Sequence, residues 1–188
     1  MMRAMAHIHH EPGQHDLTTS ALIIRTDGKE PRVILHMHRK LHKWLHFGGH
    51  VELHETPWAA IIHEIKEESG YELSQLHLLQ PRHAVTDFGD TSVSHPLPFV
   101  LGTHPFGTDE HYHTDITYLF TTDEEPRHKV SGDESNIFRL FTRREIELLP
   151  PEQMYHNMVV MVQYAFDHLL SDWKTVDPSK YHTSSTTS

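Results

Sequence analysis

Hydrophobic and polar positions alternate or cluster in short stretches along most of this chain. Residues 20–25 read S-A-L-I-I-R and residues 32–38 read R-V-I-L-H-M-H, with Asp27-Gly28 between them. Short β-branched runs on either side of a turn dipeptide predict two strands in an opening hairpin. Strands are also predicted over residues 75–88, interrupted near Pro81, and over 96–103, 114–122 and 136–142. Residues 39–55 read as a loop. Helices are expected over 143–149 and 151–170, the second carrying an apolar set at Met154, Met158, Met161, Val162, Ala165 and Leu169 that reads as core. This element order is that of an α/β protein.

The most regular pattern lies between residues 57 and 69. Thr56 suits an N-cap and Pro57 suits the first helical position, where its missing N–H costs nothing. Trp58, Ile61, Ile62 and Ile65 form an i, i+3, i+4, i+7 stripe, and Gly70 is placed to end the helix in a left-handed conformation. On such a helix Glu64, Glu67 and Glu68 gather on a face turned away from the stripe. Like charges at these spacings destabilise a helix slightly unless a cation joins them, and an all-oxygen donor set suits a hard divalent ion, Mg²⁺ first and Mn²⁺ as a substitute. A plain solvated acidic face is the competing reading of the three glutamates taken alone.

Composition narrows the setting. A chain of 188 residues with 37% hydrophobic residues can bury one proper core, and no apolar run approaches the length of a membrane span. The N-terminal stretch lacks the continuous apolar segment of a secretory signal, and the absence of cysteine excludes disulfides, zinc–thiolate sites and a cysteine nucleophile. A cytoplasmic setting is expected. The net charge of −10 argues against binding to a nucleic-acid duplex. The 21 histidines are scattered from His7 to His182, with local clusters at His7, His9 and His10, at His36 and His38, and at His111 and His113. The spacing of His36 and His38 would put both on one side of a strand, as a transition-metal site needs, but the group as a whole reads as ordinary surface or half-buried polar residues.

The run from Gly49 to Tyr71 resembles the Nudix box, G-x5-E-x7-R-E-U-x-E-E-x-G-U with U a bulky apolar residue. It matches at Gly49, Glu55, Glu64, Ile65, Glu67, Glu68 and Gly70 and departs at His63, where the family has arginine, and loosely at Tyr71. The resemblance implies the Nudix fold, a mixed β-sheet sandwiched between α-helices, over residues 18–173. Residues 1–17 are then expected to be a flexible N-terminal segment and residues 174–188 a flexible tail. It implies a hydrolase that cleaves the diphosphate linkage of a nucleoside diphosphate derivative, a nucleoside triphosphate or nucleotide sugar first among them. Glu64, Glu67, Glu68 and the backbone carbonyl of Gly48 would hold the metal, Glu64 or Glu67 would act in catalysis, and Glu55 and His63 would support the site.

An arginine at the position of His63 braces the carboxylates in the family. Histidine can lose its charge, so a protonated His63 is expected to pair with Glu55 or Glu67. Arg39, Lys40 and Lys43 before the Gly-Gly pair could contact phosphate, Trp44 or Phe47 could stack on a base, and Glu134 is the preferred extra carboxylate, ahead of Asp115 and Glu124. The loop at 149–154 could read a base edge. The family's markers for ADP-ribose and diadenosine polyphosphates are missing, since residues 85–89 read V-T-D-F-G without proline and Phe88 stands near the place of a tyrosine. A small nucleotide is the implied partner, and a homodimer is left open. Two other readings stand beside the enzyme: a catalytically silent Nudix-fold module that binds a nucleotide and regulates a partner, and a histidine-rich metal-binding protein.

Overall fold

The computed structural model describes residues 13–85, 92–106, 111–130 and 137–181. Strand β1 (His15–Arg25) is the spine of one nine-stranded mixed sheet. One of its edges runs parallel to β7 (His111–Thr122), from His15 opposite Tyr112 to Arg25 opposite Thr122. The other edge is shared. Its first half pairs antiparallel with β4 (Phe47–His50) and its end with β2 (Arg32–His38). The short β3 (Lys43–Leu45) continues along β2, so the segment 43–50 fills the gap where β1 and β2 diverge. β5 (His77–Gln80) and β6 (Val100–Phe106) pair with β7, and β8 (Phe138–Thr142) pairs with β2.

Helices cover both faces. Along β1, Ala21 and Ile23 point to one side, where they meet Trp58, Ile61 and Ile65 of α1 (Pro57–Glu64) and the turn that follows it. Leu22 and Ile24 point to the other, packing with Phe141, Met158 and Val162. Met158 and Val162 belong to α3 (His156–Tyr164), which follows the short α2 (Arg143–Glu147). Two-residue alternation on a strand buried on both sides puts each residue into one core or the other. The expected α/β fold with helices on both sides of a mixed sheet is therefore present, and the methionine stripe is core, with Met154 and Met158 buried.

Several expected boundaries move. The region 39–55 is not all loop, because Lys43–Leu45 and Phe47–His50 are strands held by long-range pairing. Residues 15–17, assigned to a flexible end, begin β1, whose backbone is paired with β7 from His15 onward. The tail expected from Lys174 starts as β9 (Lys174–Val176), antiparallel to β5, and a 3-10 turn follows at Pro178–Lys180. Residues 1–12 and 182–188 of the two expected ends, residues 86–88 and 136 of the expected strands, and Glu134 lie outside the described residues. No helix among the described residues is long and apolar enough to cross a membrane.

Candidate active site

The site is built where α1 crosses β4. The Thr56 hydroxyl accepts from the Ala59 N–H at 3.2 Å and Pro57 opens the helix. Ordinary α-helix ends at Glu64, and Ile65–Ser69 forms a wider π-turn, closed by Gly70 at φ +74°. Single π-turns of this kind recur at functional sites because they re-aim side chains without breaking the helix. Here the Ser69 hydroxyl donates to the Ile65 carbonyl inside the turn, and Glu67 and Glu68 stand on it. Gly70 has no room for a side chain, since a Cβ would lie 2.1 Å from the His128 carbonyl oxygen.

The two glycines of β4 receive two of the glutamates. The Gly48 N–H donates to Glu68 Oε2 at 2.8 Å. A Cβ on Gly49 would lie 2.3 Å from Glu64 Oε1, so the absence of a side chain there is what lets the Glu64 carboxylate rest against the strand. Gly48 sits at φ +149°, and its Cβ would collide with the Thr19 carbonyl oxygen at 2.2 Å. Glu67, on the same turn, is exposed.

His63 bridges two carboxylates: Nδ1 lies 3.2 Å from Glu55 Oε2 and Nε2 lies 3.4 Å from Glu64 Oε1. Its pKa is raised above the ordinary histidine value, chiefly by the contact with Glu64, against the opposing effect of burial and with help from the charges of Glu55 and Glu67. The expected contact with Glu55 is thus joined by one to Glu64, and Glu67 acts on the ring only through its charge. Glu55 also accepts from the Glu52 N–H at 3.0 Å, which fixes the loop entering the helix.

Other expected contacts are corrected. Phe47 is 0% exposed and packs into the core with Trp58 and Ile61, so it offers no surface to a base. Trp44 is buried as well, edge-on to Phe141 at 5.1 Å. Apolar aromatics on a strand buried on both sides fill the core first. Lys43 is committed elsewhere: Nζ donates to the Glu152 carbonyl at 2.7 Å and lies over the Tyr155 ring at 4.8 Å. Arg39 is exposed in the turn between β2 and β3, and the loop at 149–154 is tied to β3 where the Trp44 N–H donates to the Gln153 carbonyl. Tyr71 buries its ring in the core, and its hydroxyl donates to the Glu124 carbonyl at 2.9 Å, so this last apolar slot is filled by a tyrosine with a satisfied polar end.

On the opposite face of the sheet, Asp115, expected as a possible extra carboxylate, is instead held by three hydroxyls that the sequence pattern did not single out. The hydroxyls of Thr18 and Ser20 each donate to Asp115 Oδ1 at 2.8 Å, and the Thr117 hydroxyl donates to Oδ2 at 2.7 Å. The available signal was the polar stretch T-T-S at the start of the strand expected over 20–25, which lies inside β1.

Comparison with known proteins agrees with this fold. The NUDIX domain family model matches residues 15–164, well over half of the chain. A solved structure of a NUDIX-family hydrolase from Clostridium perfringens is similar at 26% identity with a TM-score of 0.65, covering 81% of this chain and 96% of that one. An Ap4A hydrolase from C. elegans is similar at 17% identity and TM-score 0.56, over 79% of this chain and 93% of that one. A MutT NUDIX hydrolase from Burkholderia pseudomallei is similar at 21% identity and TM-score 0.52, over 80% and 98%. At these lower identities the likeness is one of fold. No curated protein sequence matches the chain.

Proposed function

From the premise that this chain belongs to the NUDIX domain family and is a hydrolase of that family, we propose that it cleaves the diphosphate linkage of a nucleoside triphosphate or nucleotide sugar by attack of water on phosphorus. The observation that carries the proposal is the convergence of Glu64 and Glu68 on the Gly48-Gly49 pair of β4. A glutamate face without a role would have no need of a glycine at position 49 to seat the Glu64 carboxylate.

The donor set fits a hard divalent cation, since carboxylate oxygens and no sulfur surround the glycine pair. Glu64, Glu67, Glu68 and the Gly48 carbonyl would hold Mg²⁺, with Mn²⁺ as a substitute. When bound, such an ion neutralises phosphate charge, acidifies water and stabilises a leaving oxygen. The chain's own residues position and move protons. Glu64 or Glu67 takes the proton from the attacking water, and Glu68 anchors the helix to the β4 backbone through the Gly48 N–H. His63 joins Glu55 to Glu64 and so holds the Glu64 carboxylate against Gly49. Arg39, exposed beside this end of the sheet, remains a candidate for phosphate contact.

Phosphate release would be measured on nucleoside triphosphates, nucleotide sugars, dinucleoside polyphosphates and ADP-ribose with Mg²⁺ or Mn²⁺, for wild type and for Glu67→Gln with Glu68→Gln. Added pyrophosphatase reveals diphosphate, and added phosphatase reveals terminal monophosphates. Turnover that the double variant loses supports the hydrolase and names its substrate class. Tight binding of one nucleotide with no turnover on any of them replaces it with a silent binding module.

A further inference from the structure

We infer that the chain carries a second metal site, for a transition metal such as Zn²⁺, built by Asp16, His50 and His113 on the face of the sheet opposite the glutamate helix. One ligand atom from each of the three lies within 4.8 Å of the other two. Three adjacent strands bring them together. Asp16 on β1 stands opposite His113 on β7, while His50 closes β4 opposite Thr18, the next residue of β1 on the same face as Asp16. Because successive strand residues face opposite ways, Gly49 turns to Glu64 and His50 turns to this second cluster.

The distances suit ligands around a common ion. Asp16 Oδ2 lies 3.5 Å from His50 Nε2 and 3.3 Å from Nε2 of a further histidine, His111. Both separations exceed the roughly 2.7–2.9 Å of a charge-assisted N–H···O bond. They sit close to the edge of about 3.3–3.4 Å that a tetrahedron has when its metal–ligand bonds are about 2.0–2.1 Å. His111 Nε2 also approaches Asp16, but the three residues whose donor atoms all come together are Asp16, His50 and His113.

The electrostatics favour a cation as well. Asp16 is 0% exposed, and a carboxylate this deeply buried is costly unless a positive charge accompanies it. A divalent ion shared with His50 and His113 supplies such a charge. The rings are also held in place: His113 stacks on Phe106 at 4.4 Å and meets His50 at 5.0 Å, His111 at 5.3 Å and His104 at 5.8 Å. Fixed rings lower the cost of ordering ligands around the ion. The donor chemistry separates the two sites, since imidazole with one carboxylate selects zinc-like ions and the all-oxygen glutamate set selects Mg²⁺ or Mn²⁺. An ion here ties β1, β4 and β7 together one residue from the Gly48-Gly49 pair, and its binding does not depend on what the enzyme hydrolyses.

The test uses the full-length protein stripped with a chelator and titrated with Co²⁺, whose visible absorption distinguishes tetrahedral from octahedral coordination, followed by displacement with Zn²⁺. About one equivalent of tetrahedral Co²⁺ displaced by Zn²⁺ is expected. Asp16→Asn and His113→Gln should each weaken Zn²⁺ binding by more than about 100-fold, above the cost of losing an outer hydrogen-bond partner. Glu67→Gln with Glu68→Gln should leave the band intact, as should the joint replacement of His7, His9 and His10 by alanine. Absence of a tetrahedral band overturns the inference, as does a band that survives Asp16→Asn or one that vanishes when the N-terminal histidines are replaced. Folding is read separately. Asp16→Asn, which sheds the buried charge, should melt no lower than metal-free wild type, and only wild type should gain melting temperature on adding Zn²⁺; a wild type that gains none also overturns the site.

Discussion

Single side chains at the glutamate helix are held for chemistry more than for stability. Glu64, Glu67 and Glu68 repel one another, and neutralising one relieves that repulsion by a few tenths of a kcal/mol. Glu67→Gln is therefore expected to cut the turnover rate by roughly 10²–10⁴-fold, the range for loss of a proton-transfer or charge-stabilising group, while leaving the melting temperature unchanged or slightly higher. Steady-state kinetics beside a thermal melt check the pair. A parallel fall in melting temperature would mean that Glu67 is structural. His36 behaves in the opposite way. It is buried against Phe47, and desolvation, helped by the neighbouring His38 and His46, pushes its pKa down to about 4. The folded chain thus keeps the ring neutral, whereas the unfolded chain protonates it near pH 6.5. Its contribution is fully present above pH 6.5 and is lost as pH falls toward 4, reaching about 3 kcal/mol. Urea unfolding of wild type and His36→Phe at pH 7.5 and pH 4.5 measures it. The variant should lose less stability between the two pH values, and an equal loss would remove His36 as the source.

At the scale of elements, the helix α1 and its boundaries could be read directly, because Thr56, Pro57 and the apolar stripe act within a few residues of one another. The π-turn could not. It depends on where the helix must sit on the sheet so that Ile65 is buried while Glu68 reaches Gly48, and no local periodicity encodes that compromise. The same limit hid β3 and β4: Lys43–Leu45 and Phe47–His50 are too short to alternate, contain Gly-Gly, and become strands only through pairing with β2 and β1. The glycine pair yields a prediction that separates architecture from chemistry. At Gly48 a side chain meets backbone, the Thr19 carbonyl and Ser20 Cα, at a φ that disfavours any other residue. Gly48→Ala should destabilise the fold by about 2–4 kcal/mol. At Gly49 the obstacle is the end of the Glu64 side chain, which can swing away. Gly49→Ala should keep most of the stability, within about 1 kcal/mol of wild type, and lose activity comparably to removal of Glu64 itself. Chemical denaturation and turnover on the two variants test the contrast, and equal stability losses would refute it.

The molecule as a whole closes its sheet with the end of the chain, which a composition of serine, threonine and charged residues had marked as a tail. Polarity misled because β9 is an edge strand: it gains its place from backbone bonds to β5 and from two side chains, with little need of its own apolar pattern. Val176 stands opposite Leu78, and the ring of Tyr181 meets Trp58 edge-on at 5.8 Å. Trp58 belongs to α1 and is fully buried, so the last described residues bear on the packing of the helix that carries Glu64. An aromatic pair of this geometry contributes about 0.5–1.5 kcal/mol beyond its buried area, and loss of the Val176 contact and the strand pairing adds to it. A chain ended after Trp173 should therefore be less stable by at least about 2 kcal/mol, a fall of about 4–8 °C in melting temperature for a domain of this size. Tyr181→Ala in the full chain should reproduce about 1 kcal/mol of that loss. Tryptophan fluorescence adds an independent signal, because water reaching Trp58 shifts its emission to the red. A truncated chain that melts with the full one and keeps its emission would show that β9 rests on the sheet without supporting it. A truncated chain that melts earlier and also turns over more slowly would show that the C-terminal strand steadies the catalytic helix through Trp58.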